Sequence, residues 1–244
     1  MLKEKLKVGR TSIWGQDGEA AFLFVSGMAI DADGSPHAYN PSDTGLDNLA
    51  NAGRPGNWWG LVTDNDKPTG RPVVQSSSDP APGYYVSSTS LADPAFTRVQ
   101  QRRYVNSEVI PFFVLPSAVL SASGIRLGDF ALVKNSRTGK QSFAIFADGG
   151  PAGKIGEGSI ALAIALGVPS SPKHGGTSLA EITFLAFPGS GTRSPVSAAD
   201  VQAKGAAAFA RFGGTTRLKE WLSAIPKPIR SAGVTDLRPL GPTD

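Results

Sequence analysis

Apolar and polar positions alternate with a period of two in several short runs, so β-strands dominate the reading. Phe130 and Leu132 alternate with Ala131 and Val133, and Phe143, Ile145 and Ala147 alternate with Ala144 and Phe146, as in two buried strands. The turn between them, Asn135 to Gly139, ends on a glycine that can take the positive φ of a bulged hairpin. Ala20 to Ile30 is mostly apolar and predicts a buried strand, with Gly27 as a bulge or a point of close approach. Pro72 to Gln75 and Tyr84 to Thr89 predict two strands around the turn Ser78 to Gly83, the second with Tyr85, Ser87 and Thr89 on one face. Pro111 to Pro116 predicts a strand at a sheet edge or barrel rim, because prolines bound it. With Ile182 to Phe187 the count reaches about seven strands.

Helical signals are fewer. Ser159 is an N-cap for a short helix closed by Gly167, and Ser197 with Asp200 opens an Ala-rich helix that runs to Phe212 despite Gly205. A second helix over Arg217 to Ala224 puts Leu218, Trp221 and Leu222 on one face.

Composition narrows the class. The 244 residues include 29 Gly and 19 Pro, with 40% hydrophobic and 18% charged, which suits a turn-rich β domain and neither disorder nor a coiled coil. Three segments are expected: an N-terminal extension over 1–19, a single β-barrel domain over 20–225 and a loosely held tail over 226–244. The chain has no cysteine, so disulfides and thiolate metal sites are excluded. The net charge is +4, but the basic residues are scattered, so nucleic acid is not an expected partner. No run is long and apolar enough for a membrane helix. The Lys-rich start lacks the apolar core of a signal peptide, so secretion would rest on a signal lying outside this sequence.

The candidate chemistry is carboxylate chemistry. Asp148 stands at the end of the second hairpin strand and Glu157 nine residues on, with a glycine-rich loop between. Paired carboxylates on opposite sides of a cleft are what glycosidic hydrolysis needs, one to protonate the leaving oxygen and one to activate water. Glu157 has Ile155 and Ile160 beside it, an apolar setting that suits a protonated general acid, whereas Asp148, near Lys154 and loop N–H groups, suits the base. The opposite assignment stays open, as does a structural role for Asp148 in binding backbone N–H groups. Asp31-Ala32-Asp33-Gly34 opens like a calcium loop, but Ser42 stands where the closing acid belongs, so an Asx-turn or sugar-facing acids are the readings left. Tyr39, Tyr85 and the Trp58-Trp59 pair are either sugar platforms or loop anchors. Only His37 and His174 are present and no Gly-x-Ser-x-Gly elbow occurs, which argues against a His-based metal site and a serine hydrolase.

Several phrases carry a family resemblance. Ala144 to Gly167, Asp31 to Pro41, Asp79 to Leu91, Ile110 to Pro116 and Phe187 to Gly191 resemble, in order, the chitosanases of glycoside hydrolase family 75. The resemblance spans Gly27 to Gly214 and implies that Asp148, in Ala-Asp-Gly-Gly-Pro, and Glu157, in Gly-Glu-Gly-Ser, are the essential acids. It further implies a mainly β fold, a six-stranded double-psi-like barrel with long loops and a few short helices. The implied activity is endo-hydrolysis of β-1,4-linked glucosamine polymers by an inverting mechanism. Asp31 and Asp33 would then pair with substrate ammonium groups, with Tyr39 and Tyr85 as further substrate-binding residues. The expectation is a secreted monomer acting on chitosan without a metal or other cofactor, with the cytoplasm as the open alternative. Fungal members often carry cystines, and this chain departs from them there. A peptidoglycan-binding or lytic double-psi barrel is the alternative function, and a plain protein-interaction barrel has no specific residue in its favour.

Overall fold

A computed structural model describes residues 1–226, so the expected tail lies, apart from Pro226, outside the described residues. In chain order the strands are β1 (Leu2–Val8), β2 (Thr11–Gln16), β3 (Phe22–Asp31), β4 (Gly53–Arg54), β5 (Asn57–Trp58), β6 (Phe112–Pro116), β7 (Phe130–Asn135), β8 (Gln141–Gly150), β9 (Glu157–Ser159) and β10 (Thr177–Phe187). The helices are α1 (Ser117–Ser123), α2 (Ile160–Leu166), α3 (Ala198–Phe212) and α4 (Gly214–Ala224).

Six strands close into a barrel in the order β3-β10-β7-β8-β6-β9, because β9 pairs with β6 on one side and returns to β3 on the other. The fold is therefore the mainly β, six-stranded barrel that the resemblance implies. Two of its pairings are parallel, β3 with β9 and β6 with β8, and the rest are antiparallel. Parallel neighbours need long connections. Between the parallel neighbours β3 and β9 the chain runs through β6, β7 and β8, preceded by the 80 residues between β3 and β6.

The barrel interior is apolar. Phe24, Phe113, Phe146 and Phe184 fill it with Met28, Ile30, Leu115 and Ile182, and the rings of Phe24 and Phe184 stack at 4.7 Å. Helix α2 closes one side of this core with Leu162, Ala163 and Leu166. Helices α3 and α4 cover part of the outer face, where Phe212 and Trp221 meet Leu23, Leu132 and Leu185. A third cluster lies under the β3–β6 connection and joins Leu91 and Val105 to Phe112, Val114, Phe130 and Ile145.

Several expectations change. Within the N-terminal extension, Leu2–Val8 and Thr11–Gln16 form two strands: Lys3, Lys5 and Lys7 are exposed while Val8 and Ile13 are buried, and β2 pairs onto β3. The period of two was present, but half-masked by a run of charges. Segments 72–75 and 84–89 make only isolated bridges, Thr63 to Pro72, Val74 to Tyr85 and Leu61 to Ser87, and are not strands. Their backbone groups bond to neighbouring loops, as Val73 N to Val62 O and Val86 N to Val73 O, and two buried amides add to this: Gln75 Nε2 donates to Pro36 O and Tyr85 O, and Gln101 Nε2 donates to Gly34 O and Ser87 O. Strand β6 is not at an edge but lies between β8 and β9. Its prolines are tolerated because Pro111 precedes the strand and Pro116 ends it, where no ladder N–H is required.

The register of β10 against β3 shifts between Thr177 and Ile182, opposite Met28 and Ser26. Gly27 sits in this irregularity, where a Cβ would stand 2.3 Å from Thr177 O, so the close approach expected there is real.

Gly205 is the second informative glycine. It stands inside α3, and a Cβ there would meet Phe143 Cβ at 2.5 Å, so helix α3 packs on β8 through a position without a side chain. In an open helix Gly→Ala gains about 1 kcal/mol. Here overpacking reverses the sign. Gly205→Ala should lower the urea midpoint, by a loss on the order of 1–3 kcal/mol, and an unchanged or raised midpoint would show that the α3 contact is looser than this.

Candidate functional site

The register of three neighbouring strands places the two acids. Phe112 pairs with Ile145 and Phe113 with Phe146, but Val114 pairs with Asp148, so Ala147 is an extra residue in β8. Phe113 and Phe146 point into the barrel, while Phe112, Ile145 and Val114 belong to the outer cluster. Without the bulge, alternation would turn Asp148 inward into the phenylalanine core. With it, Asp148 points outward beside Val114, which is the common use of a bulge next to a site.

Glu157 arrives from the other side. Val114 also pairs with Glu157 of β9, and Phe113 with Gly158. The two acids therefore flank one residue of β6 on the same outer face, and two strand spacings put their Cα atoms roughly 9–10 Å apart. Asp31 joins them from β3, where it pairs with Ser159 two residues beyond the Ala29–Glu157 pair. Ser107 fixes this corner, donating its hydroxyl to Asp31 O while accepting from Ile160 N at 3.1 Å.

The β3–β6 connection completes the wall. Asp33 N donates to Asp31 Oδ1 at 2.7 Å, which makes this pair an Asx-turn. Tyr39 is buried, 2% exposed, and its hydroxyl donates to Asp33 Oδ1 at 2.9 Å and Asp47 Oδ2 at 3.3 Å. Tyr39 thus leaves no ring face open and reaches the cleft through Asp33. Tyr85 is half-buried in the same cluster, and its N–H donates to Tyr39 O. Trp58 is buried, whereas Trp59 is 59% exposed with its indole N–H held by Asn51 O at 2.8 Å. Among the described residues no group of three or more His, Asp or Glu side chains is placed to hold a metal ion.

Beside the loop N–H of Gly149, Asp148 is held by Ser90, a donor that the sequence reading missed. Its Oδ1 accepts from Ser90 N at 3.0 Å, Ser90 Oγ at 2.5 Å and Gly149 N at 2.7 Å. Ser90 lies 58 residues away in the long connection, a separation with no local signature. The Lys154 charge pulls the Glu157 carboxyl down.

Burial dominates the electrostatics. Desolvation pushes the Asp148 carboxyl up, while the bonds from Ser90 and Gly149 oppose it. Glu157 is raised by desolvation and then by the Asp148 charge, with Lys154 opposing. Desolvation also drives Asp31 and Asp33 well above the ordinary range, and the neighbouring carboxylates add to it: Asp33, Glu157 and Asp148 for Asp31, and chiefly Asp148 for Asp33. The cleft therefore concentrates carboxyls that cannot all be ionised together.

A family model described as fungal chitosanase of glycosyl hydrolase group 75 matches residues 65–216, well over half of the chain. The matched span contains Tyr85, Asp148 and Glu157, whereas Asp31, Asp33 and Tyr39 precede it. No curated protein matches the chain.

Because folding raises these pKa values, the folded state holds protons more tightly than the unfolded chain. The carboxyls therefore cost no stability below their ordinary value of about 4 and an increasing amount as pH rises through the raised values. Asp17 does not blur this window. Hydrogen bonds from Lys3 and Lys5 pull it down to about 2, so its contribution changes only in stronger acid. The thermal midpoint should fall as pH rises from about 4 toward neutrality. Asp31→Asn or Asp33→Asn should raise the neutral-pH midpoint by about 2–4 °C, the shift that ~1 kcal/mol produces at this chain length. A midpoint that climbs steadily with pH would contradict the buried-acid account.

Proposed function

The chain belongs to the fungal chitosanase family, glycosyl hydrolase group 75, and from that premise we propose that it cleaves β-1,4 links inside glucosamine polymers by single displacement with inversion. It is a glycoside hydrolase whose family acts on chitosan; the linkage, the endo action and the stereochemistry belong to this reading. The observation that carries it is the placement of Asp148 and Glu157 on either side of Val114, on one face of the barrel. An inverting pair needs about 6.5–9.5 Å between carboxyls to admit a water. Two strand spacings put the Cα atoms roughly 9–10 Å apart, a backbone separation from which two carboxyls can come within that range.

Glu157 is assigned as the general acid. It is desolvated, it faces the Asp148 charge, and among the described residues no donor holds its carboxylate, so it keeps a proton to give to the leaving oxygen. Asp148 is assigned as the base. Three donors stabilise its charged form, and Oδ2 remains to accept a proton from the attacking water. The water attacks the anomeric carbon as the glycosidic bond breaks; its proton passes to Asp148, and that of Glu157 to the departing sugar.

Asp31 and Asp33 are the proposed partners of substrate ammonium groups, with Tyr39 holding Asp33 in place and Tyr85 supporting Tyr39. The enzyme is proposed to act as a secreted monomer, since a long polymer does not cross a membrane. No helix of the described residues is long and apolar enough to cross one.

Incubation with chitosan, chitin and peptidoglycan, followed by assay of new reducing ends, tests the substrate. Chitosan alone should be cut efficiently. Asp148→Asn and Glu157→Gln should each lower kcat by about 10²–10⁴-fold with the fold retained, and near-normal turnover in either would remove that residue from the mechanism.

Binding gives a separate check. Asp31→Asn or Asp33→Asn should raise KM roughly tenfold, as loss of a charged hydrogen bond does, with kcat changed less. Added salt should weaken the wild type more than the variants. An unchanged KM would leave both aspartates as loop scaffolding.

A further inference from the structure

The pairing of β8 with β7 ends at Ile145 and Phe130, so on that side the stretch of β8 carrying Asp148 has no strand beside it. The segment Thr89 to Leu91 of the β3–β6 connection takes that place. Leu91 N donates to Ala147 O at 2.8 Å, which gives the bulge residue, skipped in the register with β6, a backbone partner. The segment is itself firmly mounted. Ser87 N donates to Gln101 Oε1 at 2.9 Å, Thr89 Oγ1 donates to Leu91 O at 2.7 Å and accepts from Val105 N at 3.0 Å, and the Leu91 side chain is buried in the outer cluster.

Ser90 stands between these anchors and is itself exposed. Its hydroxyl accepts from Gly149 N at 3.2 Å, which leaves its own hydrogen directed at Asp148 Oδ1. Oδ1 then faces three donors, Ser90 Oγ, Ser90 N and Gly149 N. A carboxylate oxygen has about two lone-pair sites, so a proton taken up by Asp148 finds no place on Oδ1. It is directed to Oδ2, which no donor reaches among the described residues. The ionisable groups that face Asp148 are carboxyls: Glu157 across Val114 on β9, Asp31 at the end of β3 and Asp33 just beyond it. Each makes a further negative charge in the cleft harder to form, so the donors on Asp148 decide that it ionises first. Burial pushes its carboxyl up, and the Ser90 hydroxyl is the largest influence against that.

We propose that Ser90 is a positioning residue of the hydrolytic reaction: it fixes Oδ1 so that Oδ2 alone takes the proton of the attacking water, and it sets the acid limit of the pH range in which the enzyme works. The inference rests on the reading above, in which Asp148 is the base. As the water oxygen bonds to the anomeric carbon, one water proton passes to Oδ2 while Oδ1 keeps its three donors. A clamp assembled beforehand needs no reorganisation at that moment.

The test is the pH dependence of kcat/KM on soluble glucosamine oligomers, read from new reducing ends, for the wild type, Ser90→Ala and Ser90→Thr. A base must be ionised, so activity falls as pH drops through the Asp148 value, while the alkaline limb reports the proton of Glu157. Ser90→Ala takes a donor from the charged form. It should move the acid limb up by about one pH unit, a roughly tenfold loss at a pH on that limb, with the plateau changed less. Ser90→Thr keeps the hydroxyl and should leave the limb near its wild-type position. The alkaline limb should stay in place in both, since Asp148 is ionised there in every variant. A serine with a structural role only would lower the thermal midpoint or the plateau and leave the acid limb unmoved, and that result overturns the assignment. So does a limb that moves as far in Ser90→Thr as in Ser90→Ala, or a shift confined to the alkaline limb, which would make Asp148 the proton donor. Oligomers left uncut by the wild type at every pH overturn the parent reading, and the role of Ser90 with it.

Discussion

Three residues, Glu157 to Ser159, close the barrel, and the site depends on that closure. They bond to β3 on one side and β6 on the other, so removing them would leave two open strand edges. Ser159 ties the closure to its surroundings, because its hydroxyl accepts from Phe112 N at 3.0 Å and from Leu162 N at 3.1 Å. One side chain thus caps helix α2 and anchors β6. The proposed acid begins the same strand, and its position is set by a ladder on both sides.

The bulge at Ala147 is the complementary device. It takes Asp148 out of an alternation that would bury it among phenylalanines and puts it beside Glu157 on the outer face. Concentrating Asp31, Asp33, Asp148 and Glu157 in a desolvated cleft opposes folding, since burial and mutual repulsion both disfavour their charged forms. The aromatic core offsets that cost. Stability is drawn from the inside of the barrel and used on its outside, a common arrangement where activity needs a strained site.

The charge pattern also resolves an awkward feature of the composition. A protein of net charge +4 handling a cationic polymer repels it at long range. Salt screens such repulsion beyond about 8–10 Å, so what the substrate meets at contact is the local field. Lys3 and Lys5, for instance, are engaged with Asp17 on the N-terminal hairpin, and the cleft presents its own acids.

Much of the local structure was legible in the sequence. The β7–β8 hairpin with its Gly139 turn, the Ser159 cap and Gly167 stop of α2, and the Ser197-capped helix α3 all follow from periods and capping residues, which act within a few positions. The two acids were legible because each sits in a short glycine-marked phrase. What the sequence could not determine was every relation across long separations. The bonds from Ser90 to Asp148, the division of β6 between β8 and β9, and the approach of the β1–β2 turn to Gly153 join segments tens of residues apart or more, with no shared period. The bulge at Ala147 was invisible for the same reason, since a strand read alone shows its alternation but not the partner residue it skips. Side-chain chemistry is local and written in the chain. The facing of one carboxylate toward another is decided only when the strands pair, because register and closure are properties of the sheet and not of any single strand.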